Sequence, residues 1–160
     1  MAFVGIPDGD VCPIAQASPG DPDYYLGVDV VGSGVTGTPF IDSECTLEST
    51  IVYIYGHHMN DGTSFAPLAN YVYTTHQEAY PTIMFEIRDK ERFDLRVVAV
   101  DIFSADTEKL VMDQSERFDD VIADCDFVLG SVAGAKQLFA FCTCSYQTAN
   151  SRTIVYAVRE

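Results

Sequence analysis

The sequence has no tryptophan, no Cys-x-x-Cys pair and few basic residues, with 9 Lys and Arg against 24 Asp and Glu for a formal net charge of −15. Such a field repels phosphate backbones and anionic lipid surfaces, so nucleic acid is not an expected partner. It serves solubility, and it also suits a cationic co-substrate. Without Cys-x-x-Cys spacing a zinc ribbon is not expected, and the adjacent His57 and His58 would chelate poorly, so no metal and no cofactor are expected. No apolar run approaches the ~20 residues of a membrane-spanning helix. Nothing like a secretory leader precedes the strand-like start at Phe3. The chain reads either as soluble or as a piece of a longer, anchored protein.

What is present points to a single strand-rich domain over 1–160. The chain is 160 residues long and 48% hydrophobic, enough for a substantial core, and its 10 Phe and 9 Tyr suit strands. Short apolar runs predict strands over 3–6, 11–15, 38–41, 50–56, 82–88, 95–103, 138–144 and 152–158. Turn clusters separate them, among them Pro7-Asp8-Gly9-Asp10 and the four-glycine loop 27–37. Ser64 is the expected cap of a short helix reaching residue 71, and 75–80 reads as another helical turn ended by Pro81. Phe118, Val121 and Ile122 recur at helical spacing, predicting an amphipathic helix over 115–123 that starts at Ser115 and Glu116. Many short strands broken by turns imply a barrel or sandwich flanked by helices.

Five cysteines, Cys12, Cys45, Cys125, Cys142 and Cys144, cannot all pair, and an odd one marks a free thiol. Cys142 and Cys144 are two apart and share a strand face, where a disulfide between them would be strained. Cys144 ends its strand and polar Ser145 follows, so a substrate can reach that position. Near a cation its thiolate is favoured. A lone cysteine is nonetheless more often a buried structural residue. His57 follows Gly56 at a strand end and precedes the turn Met59-Asn60-Asp61-Gly62. An imidazole there can give a proton to a leaving amine and take one from an incoming amine. Alone, it is equally a surface loop histidine. Its neighbour His58 points elsewhere, and His76 sits in a helical turn with no evident role. Arg152 opens the last strand eight residues after Cys144, across a loop that can close a hairpin. A fixed guanidinium there can hold an oxyanion, or serve as an edge-strand charge that blocks aggregation. Thiol, imidazole and guanidinium on three strand ends together make the parts of a cysteine acyl-transfer site.

Three stretches carry a resemblance: Asp23-Tyr24-Tyr25-Leu26, then Ile54-Tyr55-Gly56-His57-His58-Met59-Asn60-Asp61-Gly62 with Phe65 after it, and Thr143-Cys144 with Arg152 and Thr153-Ile154-Val155-Tyr156-Ala157. With them the chain resembles the class B sortases, cell-surface cysteine transpeptidases of Gram-positive bacteria, over nearly its whole length. The resemblance implies a mainly β fold, the sortase-type eight-stranded β-barrel with accessory short helices, one of them near 115–123 between the sixth and seventh strands. It places the catalytic cysteine on Cys144, the histidine on His57 and the arginine on Arg152. Tyr55 and Leu26 would line the groove for the sorting signal, with Thr143 and Cys142 also in contact with substrate. The implied reaction cleaves an NPxTx-like C-terminal sorting signal through a thioester. It then passes the protein to an amine of the cell wall. The implied partners are secreted proteins bearing that signal and a peptidoglycan precursor or pilin amine as acceptor. The implied location is the outer face of the cell membrane, with an N-terminal anchor beyond this sequence.

The chain departs from the family pattern in two places. The family's TLxTC motif reads Ala140-Phe141-Cys142-Thr143-Cys144, and Pro22 stands where relatives often have Asn four residues before the groove leucine. Both changes bear on which signal is preferred, not on the reaction. A pilin-polymerising sortase is an alternative, although the N-terminal region shows no aromatic lid motif. A non-catalytic sortase-like binding module is another, and a hydrolytic cysteine peptidase a third.

Overall fold

The computed structural model describes residues 1–34, 36–104, 113–145 and 150–160, with residues 144 and 145 described by their backbone. Alternating apolar side chains set the strands. β1 (Ala2–Gly5) buries Ala2 and Val4, and β2 (Val11–Gln16) buries Cys12 and Ile14. Between them Asp8 takes the left-handed conformation at φ 58°, which an aspartate tolerates in a tight turn. β3 (Phe40–Ile41), β4 (Ile51–Gly56), β5 (Thr82–Ile87) and β6 (Glu91–Ser104) follow. β7 (Phe127–Val128), β8 (Gln137–Ser145) and β9 (Ser151–Arg159) complete the set. Two short helices, α1 (Thr74–Ala79) and α2 (Phe118–Ala123), and two 3-10 segments, Tyr24–Leu26 and Ala66–Val72, fill the connections.

The strands run in the order β5-β1-β2-β3-β4-β8-β9-β6, and an antiparallel β5–β6 pairing closes them into an eight-stranded barrel. β7 is an additional two-residue strand beside Ala99 and Val100 of β6. The expected mainly β, eight-stranded barrel with short helices is therefore what the chain forms. Closure leaves few open sheet edges, which a strand-rich chain must otherwise protect. β4 and β8 pair in parallel, and that pairing brings the middle of the chain beside its C-terminal hairpin. Inside the barrel the rings of Phe85 and Phe139 lie 5.0 Å apart at centroid and those of Phe139 and Phe141 6.3 Å. Phe65 closes one end against Phe141 at 6.1 Å.

Several local expectations are corrected. Ser64 does not cap a helix: it sits at φ 57°, and the segment begins at Ala66 after Phe65, whose full burial fixes the chain there. The amphipathic helix begins at Phe118, not at 115. Ser115 instead turns back on Asp113, donating its amide (2.8 Å) and hydroxyl (2.6 Å) to that carboxylate. β6 starts at Glu91, before the expected 95, because its polar first residues pair with β5 as far as Ile87↔Glu91. α2 lies between the sixth and seventh barrel strands.

Candidate active site

Register across β3, β4, β8 and β9 builds the site. Phe40 opposes Tyr55, Tyr55 opposes Cys142, and two residues further along Cys144 opposes Arg152. Alternation therefore puts positions 40, 55, 142, 144 and 152 on one face of the sheet. Phe139, Phe141 and Thr143 belong to the other face, toward the barrel interior. A cavity of about 440 Å³ opens at this strand end, and Leu26, Tyr55, His57, Cys142, Thr143 and Arg152 are among its lining residues. Each of those six was expected in the site from sequence. The side chain of Cys144, the expected nucleophile, lies outside the described residues.

His57 stands just past the end of β4. Its Nε2 is 2.7 Å from the carbonyl oxygen of Leu26, which ends the 3-10 segment Tyr24–Leu26. A carbonyl only accepts, so Nε2–H donates here. Gly37 packs directly on this ring. A Cβ at residue 37 would lie 2.6 Å from His57 Cδ2 and 2.8 Å from the Leu26 oxygen, and its φ is +69°. Glycine is thus required twice, by space and by backbone. Gly56 is required by space as well: a Cβ there would meet the Phe65 ring at 2.4 Å. His58 bridges to Ser64 and does not line the cavity.

Arg152 forms no ion pair among the described residues. Its Nη1 makes two long contacts, 3.4 Å each, to Asn150 Oδ1 and the Ser151 carbonyl. Among the described residues its other N–H groups have no partner. Thr143 behaves differently from a surface contact. Its hydroxyl is buried without a hydrogen-bond partner among the described residues, opposite the equally unpartnered hydroxyl of Thr153. Tyr55 is half-buried, and burial together with the charge of Asp42 pushes its phenol far above the ordinary range, so it is neutral.

Chemistry separates the cysteines. Burial pushes the Cys12 thiol up to about 11 and that of Cys125 up to about 12, and it raises Cys45 as well. Those three are neutral and poor nucleophiles near pH 7. Cys142 is buried but lines the cavity. Among the described residues no three His, Cys, Asp or Glu side chains converge on a common metal position.

The cavity also holds residues that sequence reasoning missed: Asp23, Phe40 and Asp42. Asp42 continues the face of Phe40, a relation readable only once β3 is paired with β4. Gly37 lies in the four-glycine loop 27–37, which the sequence shows only as a loop; its contact with His57 is seen only in the fold.

No family model matches the sequence, and no curated protein matches it. Solved structures do match. Sortase B of Clostridium perfringens superposes with a TM-score of 0.81 at 19% identity, over 98% of this chain and 91% of that one. Sortase B of Listeria monocytogenes gives 0.80 at 22%, over 99% and 93%. The Staphylococcus aureus sortase B–substrate complex gives 0.78 at 19%, over 98% and 77%. The barrel, its helix between the sixth and seventh strands and the cavity along β4 and β8 thus belong to a chain with the class B sortase-type fold.

Proposed function

We propose that the chain is a cysteine transpeptidase acting on an NPxTx-like C-terminal sorting signal. The supporting observation is that His57 and Arg152 line one cavity at the strand end where Cys144 pairs with Arg152. Cys144 Sγ attacks the carbonyl carbon of the signal's Thr, and the tetrahedral oxyanion is held by the Arg152 guanidinium. As the C–N bond breaks, imidazolium His57 gives its proton to the leaving amine, and a thioester remains. An acceptor amine then attacks that thioester. Its proton passes to His57, the C–S bond breaks and the thiolate returns. Positioning and oxyanion stabilisation carry the rate gain more than base strength does. Tyr55 and Leu26 form groove walls for the peptide. On this reading the enzyme works at the outer face of the cell membrane, where secreted signal-bearing proteins meet a peptidoglycan or pilin amine.

Intact-mass spectrometry on protein incubated with a signal peptide tests the reading. Addition of the acyl fragment is expected on the wild type and absent in Cys144→Ala, and an added amine should divert product from acid to amide. An adduct that persists in Cys144→Ala, or no adduct with any peptide of a randomised library, would overturn it.

A further inference from the structure

The inner face of the β8–β9 ladder turns polar where it reaches the level of the site. On that face Phe139 pairs with Ala157 and Phe141 with Val155, and all four are buried. The next pair is Thr143 with Thr153, at 1% and 0% exposure. Gly56 of β4 and Ile102 of β6 flank it in the same row. Neither hydroxyl has a hydrogen-bond partner among the described residues. Valine has nearly the same shape, suits a buried strand and brings no polar atom to satisfy. Stability alone therefore gives no reason for threonine twice in this row.

The row's place gives one. It adjoins the row in which Cys144 opposes Arg152, and the two rows face opposite sides of the sheet. When the Arg152 guanidinium closes on an oxyanion attached to Cys144, β8 and β9 are bridged on the groove side. The two threonines are the matching pair on the inner side. Residues directly opposite in an antiparallel pair have Cβ atoms about 4.5–5.5 Å apart, so rotation about χ1 brings one hydroxyl within reach of the other. A bond unmade at rest and made as the oxyanion forms stabilises the transition state more than the ground state. Such a bond raises kcat and leaves KM alone.

We propose that Thr143 and Thr153 are positioning residues whose hydroxyls bond across the β8–β9 ladder as Arg152 closes on the oxyanion at Cys144. The bond holds nucleophile and guanidinium in register; Thr153, on the inner face, touches no substrate atom. The proposal rests on the transpeptidase reading of the cavity, and its test separates the two. kcat and KM are measured on a cleavable NPxTx-like peptide for Thr153→Val, Thr143→Val, the double variant and Thr153→Ser, with a melting curve for each. Thr153→Val should lower kcat by about tenfold, the worth of one hydrogen bond, and change KM by less than about twofold. Its melting temperature should match or exceed that of the wild type, because an unsatisfied buried hydroxyl is gone. Thr153→Ser keeps the hydroxyl and should keep kcat. The double variant should lose no more than either single one, since the same bond is lost in all three. Wild-type kcat in Thr153→Val overturns the proposal. So does a raised KM at unchanged kcat, which would make the hydroxyl a ground-state contact. A lowered melting temperature in Thr153→Val, or a kcat loss that Thr153→Ser shares, makes the threonine structural and overturns it as well. Losses that multiply in the double variant mean two independent residues and overturn the pairing. In each of these outcomes the wild type still cleaves, and the transpeptidase reading stands. No cleavage and no acyl adduct on the wild type with any peptide of a randomised library overturns that reading and this proposal with it.

Discussion

Gly37 and Arg152 show how much of the site hangs on single residues. Gly37→Ala would press a methyl group on the His57 ring at 2.6 Å and force an alanine to φ +69°. The left-handed strain alone costs about 1–2 kcal/mol, which a barrel of this size withstands. The ring displacement matters more, because an error of about 1 Å in a catalytic group can cost on the order of a hundredfold. We therefore expect kcat/KM on a cleavable peptide to fall by about a hundredfold in Gly37→Ala. The melting temperature should drop by only a few degrees. A variant with wild-type turnover would remove any link between this loop and the imidazole. Arg152→Lys keeps the charge but loses the planar fork that contacts two oxygens at once. Loss of one oxyanion donor typically costs about a hundredfold or more in rate, and that is the expected fall in kcat/KM. Near wild-type turnover of the lysine variant would move the oxyanion role to backbone amides around Cys144.

At the scale of elements, the long strands were legible and the short pieces were not. β8 announces itself by the apolar, Phe-rich run 138–142 and β9 by the β-branched and aromatic residues of 153–158, and their ends, with His57 just past the end of β4, carry the residues that sequence points to. The two-residue β7 and the Tyr24–Leu26 segment are too short to show any period; pairing with β6 and the reach over the cavity define them. Asp42 and Gly37 were illegible for the same reason, since each meets the site only through pairing or packing across the fold. α1 carries another such residue. His76 reads as bland in sequence, yet its ring packs against Tyr71 (4.8 Å) and Tyr80 (4.7 Å), with Nε2 buried and unpartnered among the described residues. Burial lowers its pKa from the ordinary 6.5, opposed by the charge of Asp8. A depressed folded value means that the unfolded chain takes up the proton first. The stability tied to the neutral ring is thus fully present above about 6.5 and is lost as pH falls through the depressed folded value. Urea unfolding from pH 7.5 to 5 should show a steeper loss for the wild type than for His76→Phe, in which that titration is absent. Parallel curves for the two proteins would mean that the ring protonates as easily in the fold as out of it.

For the whole molecule the dominant electrostatic fact is the excess of acidic groups, 24 against 9 basic. A chain of 160 residues folds to a radius of gyration of about 15 Å. At 10 mM salt the Debye length is about 30 Å, so carboxylates on opposite sides of the barrel still repel; at 150 mM it is about 8 Å and only neighbours do. Screening also weakens attraction, and the attractive side is small. Four of the five ion pairs among the described residues involve an arginine side chain more than a third exposed. Such surface pairs contribute roughly 0–1 kcal/mol each. The better-made pair joins Arg159 at the end of β9 to Glu91 at the start of β6, at 2.7 Å, with the guanidinium 4.1 Å over the Phe93 ring. Its cation–π part depends less on salt than the ion pair does. Repulsion among fifteen uncompensated charges, 24 minus 9, outweighs these few contacts, so screening stabilises the fold. The melting temperature should rise between 10 and 150 mM NaCl, by about 3 °C for each kcal/mol of repulsion relieved. The rise should be smaller at pH 4, where much of the acidic charge is neutralised. A melting temperature that falls as salt is added would show that the Arg159–Glu91 junction and its fellows, and not the net charge, govern the electrostatics of this barrel.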